Sequence, residues 1–136
     1  MKKIALDTNI LLVSIASKSK YHWVFEAFRN ELFTLCVTTD ILDEYAEIIE
    51  QKMGFQAGEN ALGVLENSIN VDLITTYFRF NLLKDEDDNK FVDCAIAANA
   101  DFIVTHNSDF NVLKEIDFPN VSVLNLDEFK EIIIRK

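Results

Sequence analysis

The chain has 136 residues, of which 49% are apolar and 26% charged, a composition that suits a globular domain with a sizeable core. Its net charge of −10 excludes a broad nucleic-acid-binding face, which needs Lys and Arg, but not an enzyme whose acids hold cations and so present a positive centre. Three glycines and one proline leave little room for linkers, and no repeat or boundary is visible, so residues 1–136 read as a single domain.

The opening MKKIALDTNILLVSIA superficially imitates a signal peptide. Asp7 and Asn9 interrupt its apolar run and no small-residue cleavage site follows, so a cytoplasmic protein is expected. Residues 3–6 read as a short buried strand ending at Asp7, and TNILLVSIASKS as a helix capped by Thr8 or Asn9. A second helix is expected at 21–30, a strand at 34–37, and a helix from the caps Thr38, Thr39 and Asp40 to about Lys52. Residues 56–70 read as another helix and 71–77 as a third strand. The acidic KDEDDNK then opens a helix over 89–100, followed by a strand at 102–105 and a short helix at 109–116. A fifth strand at 121–124 and a helix from Asp127 complete the chain.

Short apolar strands alternating with helices predict an α/β fold: a parallel, five-stranded sheet flanked by helices on both faces. Sites in such sheets form outside the carboxyl ends of the strands. Asp7 directly follows the first strand and Asp109 lies four residues after Thr105, so both are expected near one rim. Glu44 falls at the border between the apolar stripe of its helix (Ile41, Leu42, Tyr45, Ala46, Ile48, Ile49) and the acidic face (Asp40, Asp43, Glu47, Glu50). Taken alone, a solvated acidic face explains it better.

Asp93 is the sharpest case, because Ile96, Ala97 and Ala100 lie along its side of the helix. A carboxylate among small apolar groups must be protonated, paired or bound to a cation. Lys90, three residues earlier, offers a salt bridge, while a cation shared with other acids fits better. Asp88 has a ready structural job as N-cap, and Asp85, Glu86 and Asp87 read as solvated. Thr105, Asn107 and Ser108 are placed to orient carboxylates or to cap the helix at Asp109. Carboxylate oxygens suit Mg²⁺ or Mn²⁺, ions that act on phosphodiesters singly or in pairs. Among other chemistries, His22 and His106 make no zinc pattern, Cys36 and Cys94 are isolated core residues, and no Gly-rich phosphate loop exists.

Three segments, ALDTNILL, TTDILDEYAEII and DEDDNKFVDCAIAANADFIVTHNSDF, resemble the PIN-domain family, particularly small prokaryotic members that act as toxins of toxin–antitoxin pairs. The resemblance implies a Mg²⁺- or Mn²⁺-dependent endoribonuclease leaving a 5′-phosphate and a 3′-hydroxyl, with a cognate antitoxin and a homodimer as partners. Carried over by position, the family acids fall on Asp7, Glu44, Asp93 and Asp109, with Asp88 as a lesser candidate. Thr8, Asn9, Thr105 and Asn107 are the supporting polar residues. Asp7, Asp93 and Asp109 would hold the metal, and Glu44 would complete its shell or orient the attacking water. Many relatives carry Asp where Asn107 stands, which bears on whether one or two ions bind.

Two other functions compete. A catalytically silent PIN-like module would act by binding a basic protein partner, with YHWVFEAFRNELF as a groove or as ordinary core. LDTN also resembles the start of haloacid-dehalogenase-like phosphatases, but Asn9 stands where their second Asp belongs. An RNA path would draw on Lys18, Lys20, Arg29, Arg79 and Lys84.

Overall fold

The computed structural model describes residues 1–134. Five parallel strands form one sheet in the order β3-β2-β1-β4-β5, with β1 (Lys2–Leu6) at its centre. On one side β1 pairs with β2 (Phe33–Val37), which pairs with β3 (Val71–Leu73). On the other it pairs with β4 (Phe102–Val104), and β4 with β5 (Val123–Leu124). The central strands read as continuous apolar runs because both faces are covered. Ile4, Ala5, Leu6, Leu35, Cys36, Val37, Ile103 and Val104 are all buried.

The chain travels outward from β1 to β3, then returns across β1 to build β4 and β5. The sheet therefore reverses its winding between β1 and β4, and the loops leaving those two strands diverge there. Right-handed crossovers send the helices of the two arms to opposite faces. In the first arm lie α1 (Thr8–Ile15), α2 (His22–Arg29), α3 (Thr39–Met53) and α4 (Phe55–Asn67). In the second, α5 (Glu86–Ala98) lies across β1, β2 and β4, followed by a 3-10 helix (Ser108–Glu115) and α6 (Leu126–Ile134).

Several boundaries differ from those expected, each for a local reason. Asp7 caps α1, ahead of Thr8 and Asn9, because its carboxylate accepts the Asn9 N–H at 3.4 Å. Helix α5 starts at Glu86 because Asp85 accepts the Asp87 N–H at 2.9 Å, so Asp85 is the cap and Asp88 stands inside the first turn. The third strand stops at Leu73, one ladder bond before Ile74 N–H donates to Val37 C=O at 2.7 Å. On α3, Ile41, Tyr45 and Ile49 are buried while Leu42, Ala46 and Ile48 are only partly so, a narrower stripe than the wheel suggested. Burial pushes the Cys36 and Cys94 thiols up to about 11 and about 12, as befits inert core residues. No described helix is long and apolar enough to cross a membrane.

Candidate active site

The carboxyl ends of β1 and β4 bring Asp7 and Thr105 together across 98 residues of sequence. The two strands pair Leu6 with Val104, and Asp7 N–H donates to Val104 C=O at 3.1 Å, so the side chains leave adjacent strands at the same level. Thr105 Oγ1 donates to Asp7 Oδ2 at 2.7 Å and accepts the Asn107 N–H at 3.0 Å. Both Asp7 and Thr105 are buried, at 8% and 4% exposure. A hydroxyl aimed at a buried carboxylate fixes its direction.

Asn107 links this pair to the next acid. Its Oδ1 accepts the Asp109 N–H at 2.9 Å, capping the 3-10 helix, and its Nδ2 donates to Asp88 Oδ2 at 3.3 Å. Asp88 is therefore drawn to the Asp7 side of α5. Partial burial, then the charges of Asp85, Asp7 and Asp109, push its carboxyl up to about 6, against a weaker pull from Lys90. Asp109 is exposed at the start of the 3-10 helix. Among the described residues Asp7, Asp88 and Asp109 enter no ion pair.

A second set of contacts runs the other way along the rim. Thr8 Oγ1 donates to Glu44 Oε2, and Glu44 Oε1 pairs with Lys90 Nζ at 2.6 Å. Lys90 thus meets Glu44 rather than its helix neighbour Asp93. The Asp93 carboxylate, buried at 7% exposure, accepts the Phe80 N–H at 3.1 Å. Ala97, expected to crowd it, is exposed, and burial comes instead from the irregular segment 74–85 folding over α5. Asp88 and Asp93 lie five residues apart, about 140° round the helix. Asp93 accordingly lines a separate cavity of about 410 Å³ with Thr38, Asp40, Arg79 and Lys90.

Two supports went unread in the sequence. Tyr45, fully buried on α3, donates its hydroxyl to Leu6 C=O at 2.6 Å and so steadies the residue before Asp7. Burial raises its phenol well above the usual range, ahead of smaller contributions from Cys94, Asp7 and Glu44. Asn89, also buried, accepts Leu83 N–H at 2.9 Å and donates to Leu83 C=O at 3.1 Å, tying the acidic loop to α5. Both carried a signal. A Tyr inside an apolar stripe must find a partner for its hydroxyl, and an Asn facing a core must find two.

The PIN domain family matches residues 3–109, well over half of the chain. The chain belongs to the PIN domain family. The matched span holds Asp7, Glu44, Asp88, Asp93 and Asp109. Among solved structures, the PIN domain is similar to a chain of "Crystal structure of VapBC2 from Rickettsia felis bound to a DNA fragment from their promoter". The TM-score is 0.64 at 20% identity, covering 92% of this chain and 99% of that one, a likeness that concerns the fold. The comparison with curated proteins finds no match.

Proposed function

We propose that this PIN domain is a divalent-cation-dependent endoribonuclease, in one 136-residue domain, acting as the toxin of a toxin–antitoxin pair. The observation that carries the reading is that Asp7 and Asp88 are joined to one loop, by Thr105 and Asn107, at the winding reversal, close enough for the Asp7 charge to act on Asp88. Two carboxylates there share one neighbourhood without a cationic partner, and one of them is pushed towards neutrality. Such a pair favours a bound cation over mutual repulsion.

The donors fit Mg²⁺ or Mn²⁺ in kind, being carboxylate, hydroxyl and amide oxygens with no thiolate. Among the described residues no three His, Cys, Asp or Glu side chains converge into a cage. Mg²⁺ needs none, since it binds through one or two carboxylates and keeps several waters. Asp7 and Asp88 would hold it, with Asp109 adding negative potential. When bound, such an ion polarises a phosphodiester oxygen and lowers the pKa of water for in-line attack. Thr105 orients Asp7, and Asn107 orients Asp88. Glu44, with both oxygens engaged by Thr8 and Lys90, fixes the start of α1 rather than offering a free donor. Asp93, held by the Phe80 N–H, borders the neighbouring cavity.

The VapBC2 likeness supports a toxin–antitoxin setting, with an antitoxin and a second copy of the chain as proposed partners. The test is cleavage of unstructured RNA by the purified protein in Mg²⁺, in Mn²⁺ and in EDTA. Cleavage with metal, lost in EDTA and in a folded Asp7→Asn variant, is expected. Cleavage that persists in EDTA or in Asp7→Asn would overturn the reading.

A further inference from the structure

Beside Asp7 a cavity of about 300 Å³ opens between α1 and the loop after β4. Two aromatic rings stand on its border: Tyr21 and His106 meet edge to face, with centroids 5.8 Å apart and planes at 77°. Ile10 and Val13 of α1 supply apolar surface, and Asn9 stands at its border with Asp7. The exposed Asn9 side chain enters no hydrogen bond among the described residues, so its amide keeps both a donor and an acceptor. Lys20 Nζ lies 5.0 Å from the Tyr21 ring centroid and enters no ion pair among the described residues. In a chain with 23 acids and 13 basic residues, a cation set over a ring that borders this cavity is a specific asset.

The turn that presents Tyr21 is built to hold still. Ser19 Oγ accepts the Tyr21 N–H at 3.1 Å, and the His22 ring Nδ1 lies 2.8 Å from Ser14 C=O. Neither contact serves the carboxylates. A cavity bordered by an aromatic pair, with an amide edge and a neighbouring cation, matches one occupant better than any other: an unpaired nucleobase stacked on an aromatic ring, its phosphate towards the cation. A paired base cannot enter, because its faces are stacked and its edge is engaged.

We infer that Tyr21 and His106 form a base-stacking subsite for the nucleotide next to the cleaved phosphate, with Asn9 on the base edge and Lys20 on the adjoining phosphate. The inference rests on the ribonuclease reading and specifies its substrate as single-stranded at that position. Aromatic–base stacking is a main source of single-strand affinity, so losing one ring is a large effect on binding.

The test measures binding of a fluorescein-labelled, unstructured RNA dodecamer in Ca²⁺ by anisotropy, against the same sequence as a duplex, with cleavage in Mn²⁺ measured in parallel. Tyr21→Ala is expected to weaken single-strand binding about tenfold and to leave the weaker duplex binding unchanged. Tyr21→Phe, which keeps the ring, is expected to restore it. His106→Ala, on an exposed residue of a different element, gives a second loss if Tyr21→Ala fails to fold. Wild type that cleaves while both alanine variants bind as wild type would overturn the subsite and leave the nuclease standing. Variants that lose single-strand binding, in a protein that never cleaves, would support the subsite and overturn the nuclease. Equal loss on single strand and duplex, or no binding by wild type, would overturn the subsite.

Discussion

The two ends of the acidic rim handle the same residue type in opposite ways. Around Glu44 and Asp93 the protein supplies positive charge: Lys90 pairs with Glu44, and Lys90 and Arg79 line the cavity that Asp93 borders. Around Asp7 and Asp88 the partners are a neutral hydroxyl and a neutral amide, which orient the charge and leave it uncompensated. Burial alone does not separate the two ends, since Asp7 and Asp93 are equally enclosed at 8% and 7% exposure. What separates them is the sign of the neighbours. A divalent cation is attracted to the end where the protein has not supplied its own positive charge.

The comparison breaks most visibly in activity. Asp7→Asn and Asp88→Asn should each reduce Mn²⁺-dependent RNA cleavage by about three orders of magnitude, with unchanged far-ultraviolet circular dichroism, as expected when a ligand of the reacting centre is neutralised. Asp93→Asn should cost far less, about tenfold or under, since an amide still accepts the Phe80 N–H. Equal losses for Asp88 and Asp93 would merge the two ends into one site.

Replacing Asn107 by Asp sharpens the contrast from the other side. The change adds a fourth charge to Asp7, Asp88 and Asp109 and removes the amide donor to Asp88. In EDTA the Asn107→Asp protein should melt several degrees below wild type, and saturating Mn²⁺ should recover most of that loss. Melting curves with and without metal decide it.

Tyr45→Phe removes one buried hydrogen bond without touching a charge. The Leu6 C=O loses its donor, and stability should fall by about 1–2 kcal/mol in urea unfolding. Cleavage should fall less than in any of the carboxylate variants, because the phenol acts only through the strand that carries Asp7.

The smallest effect is a pH trend. The Asp88 carboxyl, ordinarily near 3.8, sits at about 6 in the folded protein, so folding binds a proton there. Its contribution to stability is fully present below about pH 4 and is lost as the pH rises through 6. In EDTA, wild type should therefore lose stability relative to Asp88→Asn between pH 4 and 6, and be level with it below. A gap of the opposite sign would mean that Asp88 is paired with a cation of the protein.

Much of this was legible in the sequence, for identifiable reasons. Apolar runs of strand length between helical patterns predicted the parallel sheet, and the rule about carboxyl ends pointed to Asp7 and Asp109. Glu44 was correctly read as a border residue, but its pairing with Lys90 was not, because that contact joins α3 to α5 and no spacing within either helix shows it. Asp88 and Asp93 were separated only by the structure. From the sequence Asp93 looked the more buried and Asp88 a cap. The real cap, Asp85, shifts the helix start by several residues and turns Asp88 inward to Asn107. One hydrogen bond at a helix end thus sets where α5 starts.

The most direct test of the central claim is the thermal shift given by Mn²⁺ in wild type, Asp88→Asn and Asp93→Asn, measured without RNA. Binding to the folded state raises the melting temperature in proportion to its free energy. The account predicts a clear shift in wild type, a similar one in Asp93→Asn and almost none in Asp88→Asn. A shift that survives in Asp88→Asn and vanishes in Asp93→Asn would contradict it and move the metal to the other end of the rim.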